Sequence, residues 1–198
     1  MQTTLLGFAF AIILALVTAL VGPLFVDWSS YRGEFEARAS RLTGLDFRVT
    51  GAIDARLLPT PSIMLHGVEF GRPNEASKVS ARALRIEFAL GALMRGEWRI
   101  AEARLEGPEL GAGLDGSGRI AWPLPKLGFD LEGVAIERLQ IEDGRAVLTD
   151  AANDTRLVLE KLEFRGELRS LAGPVKGDGS FVVAGQHYPY RVSTGRTN

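Results

Sequence analysis

The stretch Leu84-Arg85-Ile86-Glu87-Phe88-Ala89-Leu90 alternates apolar residues with charged or small ones over seven positions. Successive side chains of a β-strand point to opposite faces, so this period of two predicts a strand with one apolar face. The side chains on that face are predicted to be Leu84, Ile86, Phe88 and Leu90. They are the first candidates for an apolar binding surface.

The same period recurs along most of the chain that follows residue 44. Residues 45–57 predict one strand of about a dozen residues, which Pro59 and Pro61 end because proline donates no backbone hydrogen bond. Further strands are predicted at residues 63–70, 98–105, 110–114, 136–141, 146–149, 155–168, 175–184 and 188–193. Glycine-rich turns separate them, and 23 glycines fit a mainly β, antiparallel meander.

A sheet with one apolar face must cover that face, fold onto itself or offer the face to an apolar ligand. After residue 28 the sequence predicts one short helix and one helical turn at residues 90–95, too few for a covering layer. Two folds therefore stay open. One is an antiparallel sheet that forms an apolar groove, and the alternative is a closed β-sandwich.

The N-terminus has a different composition from the rest. None of the 23 basic and 24 acidic residues lies in the first 26 positions, and residues 5–26 form an uncharged run. At about 1.5 Å per residue these 22 residues reach roughly 33 Å, enough to cross a hydrocarbon core of about 30 Å. Residues 1–28 are predicted to be a transmembrane anchor. A cleaved secretory leader fits less well, since the basic n-region is missing and the apolar core is too long.

Aromatic residues follow the apolar run. Trp28, Tyr31 and Phe35 are predicted to lie at the membrane interface, where amphipathic rings settle. Spacings of four, four and three also predict a short amphipathic helix, with an apolar stripe of Tyr31, Phe35, Ala39 and Leu42. Nearby charge does not choose a side of the membrane, because long domains translocate largely regardless of it.

Composition and motifs exclude several classes of function. The chain has no cysteine, which excludes thiolate metal sites and cysteine nucleophiles, and its net charge of -1 gives no footprint for nucleic acid. The two histidines, His66 and His187, lie far apart in sequence and belong to no metal-binding or catalytic motif. The sequence therefore predicts no enzyme, no cofactor and no metal site.

A series of loose phrases in a fixed order resembles the AsmA family of bacterial envelope proteins. The phrases include Leu57-Leu58-Pro59-Thr60-Pro61, the strand that ends at Val68-Glu69-Phe70-Gly71, and the turn Asp115 to Trp122. The positions that match the family motif are Leu58, Pro59, Pro61, Gly71 and Trp122. Members usually run to several hundred residues, so the chain resembles their N-terminal portion or a shortened member.

The resemblance implies a single-pass protein of the bacterial inner membrane, with residues 29–198 as a β-rich region in the periplasm. The proline-rich segment 122–126 is the one internal boundary that the sequence indicates. The resemblance also implies a curved sheet with an apolar concave face that handles phospholipid between inner and outer membrane and supports outer-membrane assembly. Its partners would be the inner membrane and phospholipid or another acyl lipid. In the alternative, the protein is a membrane-tethered scaffold that binds other envelope proteins.

Overall fold

The computed structural model describes residues 2–22, 28–43, 46–71, 79–97, 99–114, 120–121, 135–150, 153, 155–168 and 175–193. The helical elements are α1 (Gln2–Val21), a 3-10 turn (Trp28–Tyr31), α2 (Arg32–Thr43) and α3 (Leu90–Leu93). The first strands are β1 (Phe47–Val49), β2 (Ile53–Arg56), β3 (Ser62–Phe70), β4 (Val79–Phe88), β5 (Arg99–Glu106) and β6 (Glu109–Leu114). The others are β7 (Ile120–Ala121), β8 (Ala135–Asp150), β9 (Thr155–Leu168), β10 (Val175–Val183) and β11 (Gln186–Ser193).

The described strands all belong to one sheet, in the order β1-β3-β4-β5-β8-β9-β10-β11. β1 and β2 pair with successive parts of β3. In the same way, β5 and β6 lie one after the other between β4 and β8. The mainly β fold expected from the sequence is therefore confirmed. The described residues form one sheet, without the second sheet that a two-sheet sandwich would have.

The expectation of a purely antiparallel sheet is wrong for two pairs of strands. β5 and β6 both run parallel to β8, with a constant register from Arg99↔Ala135 to Leu114↔Asp150. All the other described pairs are antiparallel. Alternation in a sequence assigns faces but not strand direction. Residues 115–134 are long enough for the crossover that a parallel pair needs.

The single strand predicted at residues 45–57 is divided into β1 and β2. Between them, Thr50 N–H donates to Gly67 O at 2.7 Å and Gly51 N–H donates to His66 O at 2.8 Å. Gly51 lies so close to β3 that an added Cβ would be 2.6 Å from His66 O. This close approach interrupts the ladder, which is a common role of glycine within a strand.

The alternation of apolar residues along the strands is interrupted at five places. At one level of the sheet, the apolar residues are spaced by three positions instead of two. The steps are Leu65 to Val68, Ala81 to Leu84, Leu105 to Pro108, Ile141 to Gly144 and Leu159 to Leu162. The first four lie side by side, and the step in β9 lies one residue pair further along. Four of the five contain a residue with positive φ: Gly67 (63°), Gly107 (55°), Asp143 (53°) and Lys161 (48°).

We call this line of irregular steps the bulge row. Each step holds one residue more than strict alternation requires, which keeps the apolar residues before and after it on the same face of the sheet. The steps in β8 and β9 also shift the register between these two strands, as a β-bulge does, whereas β3, β4, β5 and β6 keep an unbroken register through theirs.

The tightest packing lies where α2 covers β1, β2 and β3. Leu65 and Val68 are fully buried there, and Phe47, Val49 and Ile53 are buried beside them. The ring of Phe47 meets Phe35 of α2 edge-on at 5.7 Å between ring centres, and Phe70 of β3 edge-on at 5.0 Å. The apolar stripe predicted for α2 therefore packs on the sheet through Phe35 and Ala39.

A second stripe of α2 seals the edge of the sheet. Ser40 Oγ accepts a hydrogen bond from Phe47 N–H at 2.9 Å, and Glu36 Oε1 accepts one from Val49 N–H at 2.7 Å. Arg32 Nη2 donates to Gly51 O at 2.6 Å. These three residues are four apart and so lie on one face of the helix. Their side chains satisfy backbone groups where a neighbouring strand would otherwise pair.

Helix α1 is 20 residues long, and its described large side chains are exposed, including Phe8 at 74% and Phe10 at 68%. Among the described residues, no helix reaches the combination of length and apolarity that crossing a membrane requires. The anchor at residues 1–28 stays a prediction. The boundary expected at residues 122–126 lies outside the described residues.

Candidate functional site: the apolar face of the sheet

The sheet presents one face on which cross-strand partners are apolar residues or glycine from one edge to the other. Residues that are partners in the register of a sheet point to the same side. One complete row of partners consists of Ile53, Leu65, Leu84, Leu105, Ile141, Phe164, Gly179 and Tyr190. Apart from the hydroxyl of Tyr190, this row carries no polar side-chain atom from β2 to β11.

The neighbouring row is equally continuous. Its members are Ala55, Ile63, Ile86, Ala103, Leu139, Gly166, Gly177 and Val192. Four of its eight members are alanine or glycine, so side chains fill less space above the sheet here than along the first row. We call it the shallow row.

Three of the four predicted groove residues lie on this face. Leu84 belongs to the first row, Ile86 to the shallow row, and Phe88 begins a third row that continues through Ile100, Ile136, Leu168 and Val175. Leu90 lies beyond the end of β4, at the first position of α3, and is exposed. The structure therefore brings Leu84, Ile86 and Phe88 together and places Leu90 outside the rows.

Cover over this face is uneven among the described residues. Under α2 the large side chains are buried, whereas Leu84, Ile86 and Phe88 in β4 are half-buried. Leu139 and Ile141 in β8 are also half-buried. The central part of the apolar face therefore keeps large aliphatic side chains in partial contact with solvent.

The opposite face is charged and held by ion pairs. Arg85 and Glu87 of β4 are 2.8 Å apart, and Glu102 of β5 contacts both Arg104 at 3.1 Å and Arg138 at 3.2 Å. All five side chains are at least partly exposed, so each pair adds little to stability. These charges give the sheet two different faces, because the charged face favours water and the opposite face favours apolar contact.

Aromatic rings lie over glycines near the β11 edge. An added Cβ at Gly177 would lie 2.5 Å from Phe164 Cζ, and one at Gly166 would lie 2.7 Å from the same atom. Phe164 is 7% exposed although it lies far from α2. Tyr190 is held by its hydroxyl, which donates to Glu163 O at 3.0 Å, and its pKa is raised, chiefly by burial and then by the charge of Glu163.

A pocket of about 300 Å³ opens where the apolar face meets the 3-10 turn and α2. Its described lining consists of Trp28, Tyr31, Glu34, Phe35, Ile53, Ala55 and Ile63. The residues predicted for the membrane interface, Trp28, Tyr31 and Phe35, thus share one pocket. Ile53 connects the pocket to the first row, while Ala55 and Ile63 belong to the shallow row.

The family-motif residues lie mainly at the turn between β2 and β3. The Leu58–Pro59 peptide bond is cis, and buried Pro61 accepts a hydrogen bond from Phe88 N–H at 2.8 Å. Gly71, at the end of β3, donates to Asp46 O at 3.2 Å. The motif therefore joins strand ends around the first part of the sheet. Trp122 lies outside the described residues.

The histidines are not close to each other. His66 Nε2 lies 3.4 Å from Asp54 Oδ2 at the interruption between β1 and β2, and His187 is exposed on β11 opposite Val182. In the described part of the chain, no three His, Cys, Asp or Glu side chains are grouped to hold a metal ion.

The sequence reading missed the sealing residues of α2 and the complete extent of the rows. The spacing of four that links Arg32, Glu36 and Ser40 is visible in the sequence, but polar residues on a helix usually face solvent. Strand register, which creates the rows, follows from three-dimensional pairing and has no direct signal in one sequence.

Comparison with known proteins supports the resemblance. The sequence model of the AsmA family matches residues 2–128, which is well over half of the chain. Strands β8 to β11 lie beyond the matched residues. Neither the curated proteins nor the solved structures include a match.

Proposed function

The chain belongs to the AsmA family, and on that premise we propose that it handles phospholipid in the bacterial envelope, with acyl chains lying along the apolar face of its sheet. Membership of this family is compatible with envelope and lipid-transport roles. In this proposal the protein moves lipid between inner and outer membrane and so supports outer-membrane assembly.

The continuous apolar rows support the proposal most directly. A lipid tail needs apolar contact along its whole path, because each CH₂ group returned to water costs about 0.8 kcal/mol. For a chain of about 16 carbons the total is on the order of 12 kcal/mol, so a charged residue anywhere on the path would be a large barrier. Cross-strand partners keep both complete rows free of charge from β2 to β11.

In this proposal the first 28 residues anchor the protein in the inner membrane, and residues 29–198 lie in the periplasm. The uncharged run at residues 5–26 and the exposed apolar side chains of α1 support this arrangement. Sliding along a surface requires no nucleophile or general base, so the proposed role is not enzymatic.

Native mass spectrometry on the full chain, extracted in mild detergent, tests the proposal. We expect phospholipid to remain bound, and exchange into a lipid-free detergent of higher stringency should remove it. A chain that carries envelope proteins but no lipid after mild extraction would contradict the proposal and favour the membrane-tethered scaffold.

A further inference from the structure

We propose that the pocket between the 3-10 turn and β2–β3 is the entry subsite for lipid, where one acyl chain of a phospholipid with an ammonium headgroup first leaves the membrane. This inference rests on the proposed function and adds two things to it. It gives the path a starting point, and it gives the lipid a headgroup class.

The size and lining of the pocket fit one acyl chain. At about 300 Å³ the pocket is at the lower end of the range of roughly 300–1,000 Å³ for small-molecule sites. This is room for part of a lipid and not for a whole two-chain molecule. The wall is aromatic through Trp28, Tyr31 and Phe35, while Ile53, Ala55 and Ile63 form an aliphatic floor.

The floor of the pocket leads directly onto the apolar face. Ala55 and Ile63 are register partners, and Ile63 is in turn the partner of Ile86 on β4. The shallow row then continues through Ala103 and Leu139. An acyl chain seated on Ala55 and Ile63 can therefore move to the centre of the sheet without crossing a charged side chain.

The position of the pocket in the sequence, just after α1, indicates where the acyl chain comes from. The 3-10 turn begins at Trp28, only seven residues after Val21, the last residue of α1. The exposed Phe, Leu and Ile side chains of α1 require an apolar environment, and in the proposed arrangement that environment is the bilayer. Membrane lipids are thus the acyl compounds at the mouth of the pocket.

One charge distinguishes among those lipids. Glu34 is the single ionisable carboxylate among the described lining residues, and the others carry no charge at neutral pH. A carboxylate beside Trp28 and Tyr31 favours an ammonium group, which is attracted both by the negative charge and by the aromatic faces. The same carboxylate repels a headgroup whose net charge is negative. We therefore expect phosphatidylethanolamine to enter in preference to phosphatidylglycerol.

Photo-crosslinking on the full chain in vesicles tests both parts. The photoreactive residue is benzoylphenylalanine, which keeps an aromatic ring in the pocket when it replaces Tyr31. In a separate protein it replaces Phe88 on the central sheet, and the vesicles contain equal amounts of phosphatidylethanolamine and phosphatidylglycerol. At position 31 we expect about two- to fivefold more crosslink to phosphatidylethanolamine. Glu34→Gln should make the two lipids equal, while Glu160→Gln, an exposed control on β9, should change nothing.

Blocking the pocket tests its role as the entrance. Ala55→Trp should lower the lipid crosslink at both positions by about tenfold. A tenfold loss corresponds to about two methylene groups of the acyl chain that no longer have apolar contact. Ala52→Trp, at an exposed neighbouring position outside the lining, should leave both unchanged. Circular dichroism checks folding, and Ala55→Met replaces the larger variant if that one does not fold.

The outcomes separate the inference from the proposed function. Crosslinking at position 88 that survives a blocked pocket, or that occurs without any at position 31, would overturn the entry subsite and leave the lipid role standing. Equal or greater crosslinking of phosphatidylglycerol at position 31 would overturn the headgroup preference. Absence of lipid at both positions would overturn the proposed function itself.

Discussion

The carboxylate of Glu36 on α2 accepts a hydrogen bond of 2.7 Å from the backbone N–H of Val49 on β1. A side chain of a helix thus satisfies a backbone group at the first edge of the sheet, where unpaired strand groups would favour aggregation. At the opposite edge, β11 contains Pro189, which has no N–H to offer to another strand. The two edges of the described sheet are protected by different means.

Removing the Glu36 side chain should destabilise the first edge. Glu36→Ala leaves the backbone N–H of buried Val49 without its charged acceptor, and we expect a loss of about 1–3 kcal/mol in the free energy of unfolding. Glu36→Gln keeps an acceptor oxygen and should recover part of the loss. Thermal unfolding in detergent followed by circular dichroism measures both, with Glu160→Ala as the exposed control. An unchanged midpoint for Glu36→Ala would show that the contact does not stabilise the edge.

Phe88→Glu should separate an open apolar face from a closed core. On an open face the carboxylate can reach water when lipid is absent, so the chain should fold but lose bound phospholipid. In a closed core an unpaired charge would abolish folding. Protein abundance, circular dichroism and lipid retention decide, with Phe88→Leu as the apolar control. A folded Phe88→Glu protein with its full complement of lipid would refute the lipid path.

Gly177→Ala should disrupt the packing near β11. Its Cβ would meet Phe164 Cζ and Arg165 O at 2.5 Å each, and overpacking of this kind costs about 1–3 kcal/mol. Gly113→Ala in β6 is the matched control, since the atom nearest to its added Cβ would be Thr149 O at 4.0 Å. A melting temperature that falls for Gly113→Ala as much as for Gly177→Ala would contradict the ring-over-glycine explanation.

Alkaline pH should weaken the β9–β11 region through Tyr190. The pKa of Tyr190 is raised, first by burial and then by Glu163, so the folded state favours the neutral phenol. That contribution is fully present below the ordinary tyrosine pKa of about 10 and is lost as pH rises through the raised value. The free energy of unfolding should therefore decline above pH 10. Tyr190→Phe should decline less steeply, and equal slopes for the two proteins would exclude this cause.

A reporter fusion tests the proposed location. Alkaline phosphatase fused after Ser193 should be active, because the enzyme matures only outside the cytoplasm and residues 29–198 are proposed to be periplasmic. A cytoplasmic reporter at the same position should be inactive. The reverse pair of results would place the sheet on the cytoplasmic side and contradict the proposed path between the two membranes.

The sequence predicted which residues share a face of the sheet better than it predicted which strands pair and in which direction. Alternation around Ile86 identified a strand and its apolar face, because a period of two is a local property of the chain. The parallel pairing of β5 and β6 with β8 depends on the route of the intervening residues, and alternation carries no information about it. Pro59 and Pro61 marked the end of a strand correctly, whereas the close contact of Gly51 with His66 required knowledge of β3.

The candidate site was predicted in parts. Leu84, Ile86 and Phe88 were placed together from spacing alone, but Leu90 begins a helical turn and leaves the face. Trp28, Tyr31 and Phe35 were expected at an interface with lipid. Their assembly around a pocket with Ile53 and Ile63 depends on α2 folding back on the sheet, which no local pattern encodes.

The bulge row behaves as a phase boundary in the alternation of the sheet. If odd-numbered residues face one side of the sheet before the bulge row, they face the other side after it. A strand that pairs with β4 or β8 therefore keeps its apolar residues on one face along its whole length only if its own alternation shifts at the same level. β10 keeps one phase throughout, from Val175 through Gly179 to Val183, and the boundary ends beside it at Lys161. A single-residue deletion within a step would invert half a strand, exchanging charged and apolar side chains. We therefore expect the strands that carry these steps to tolerate many substitutions but few changes of length.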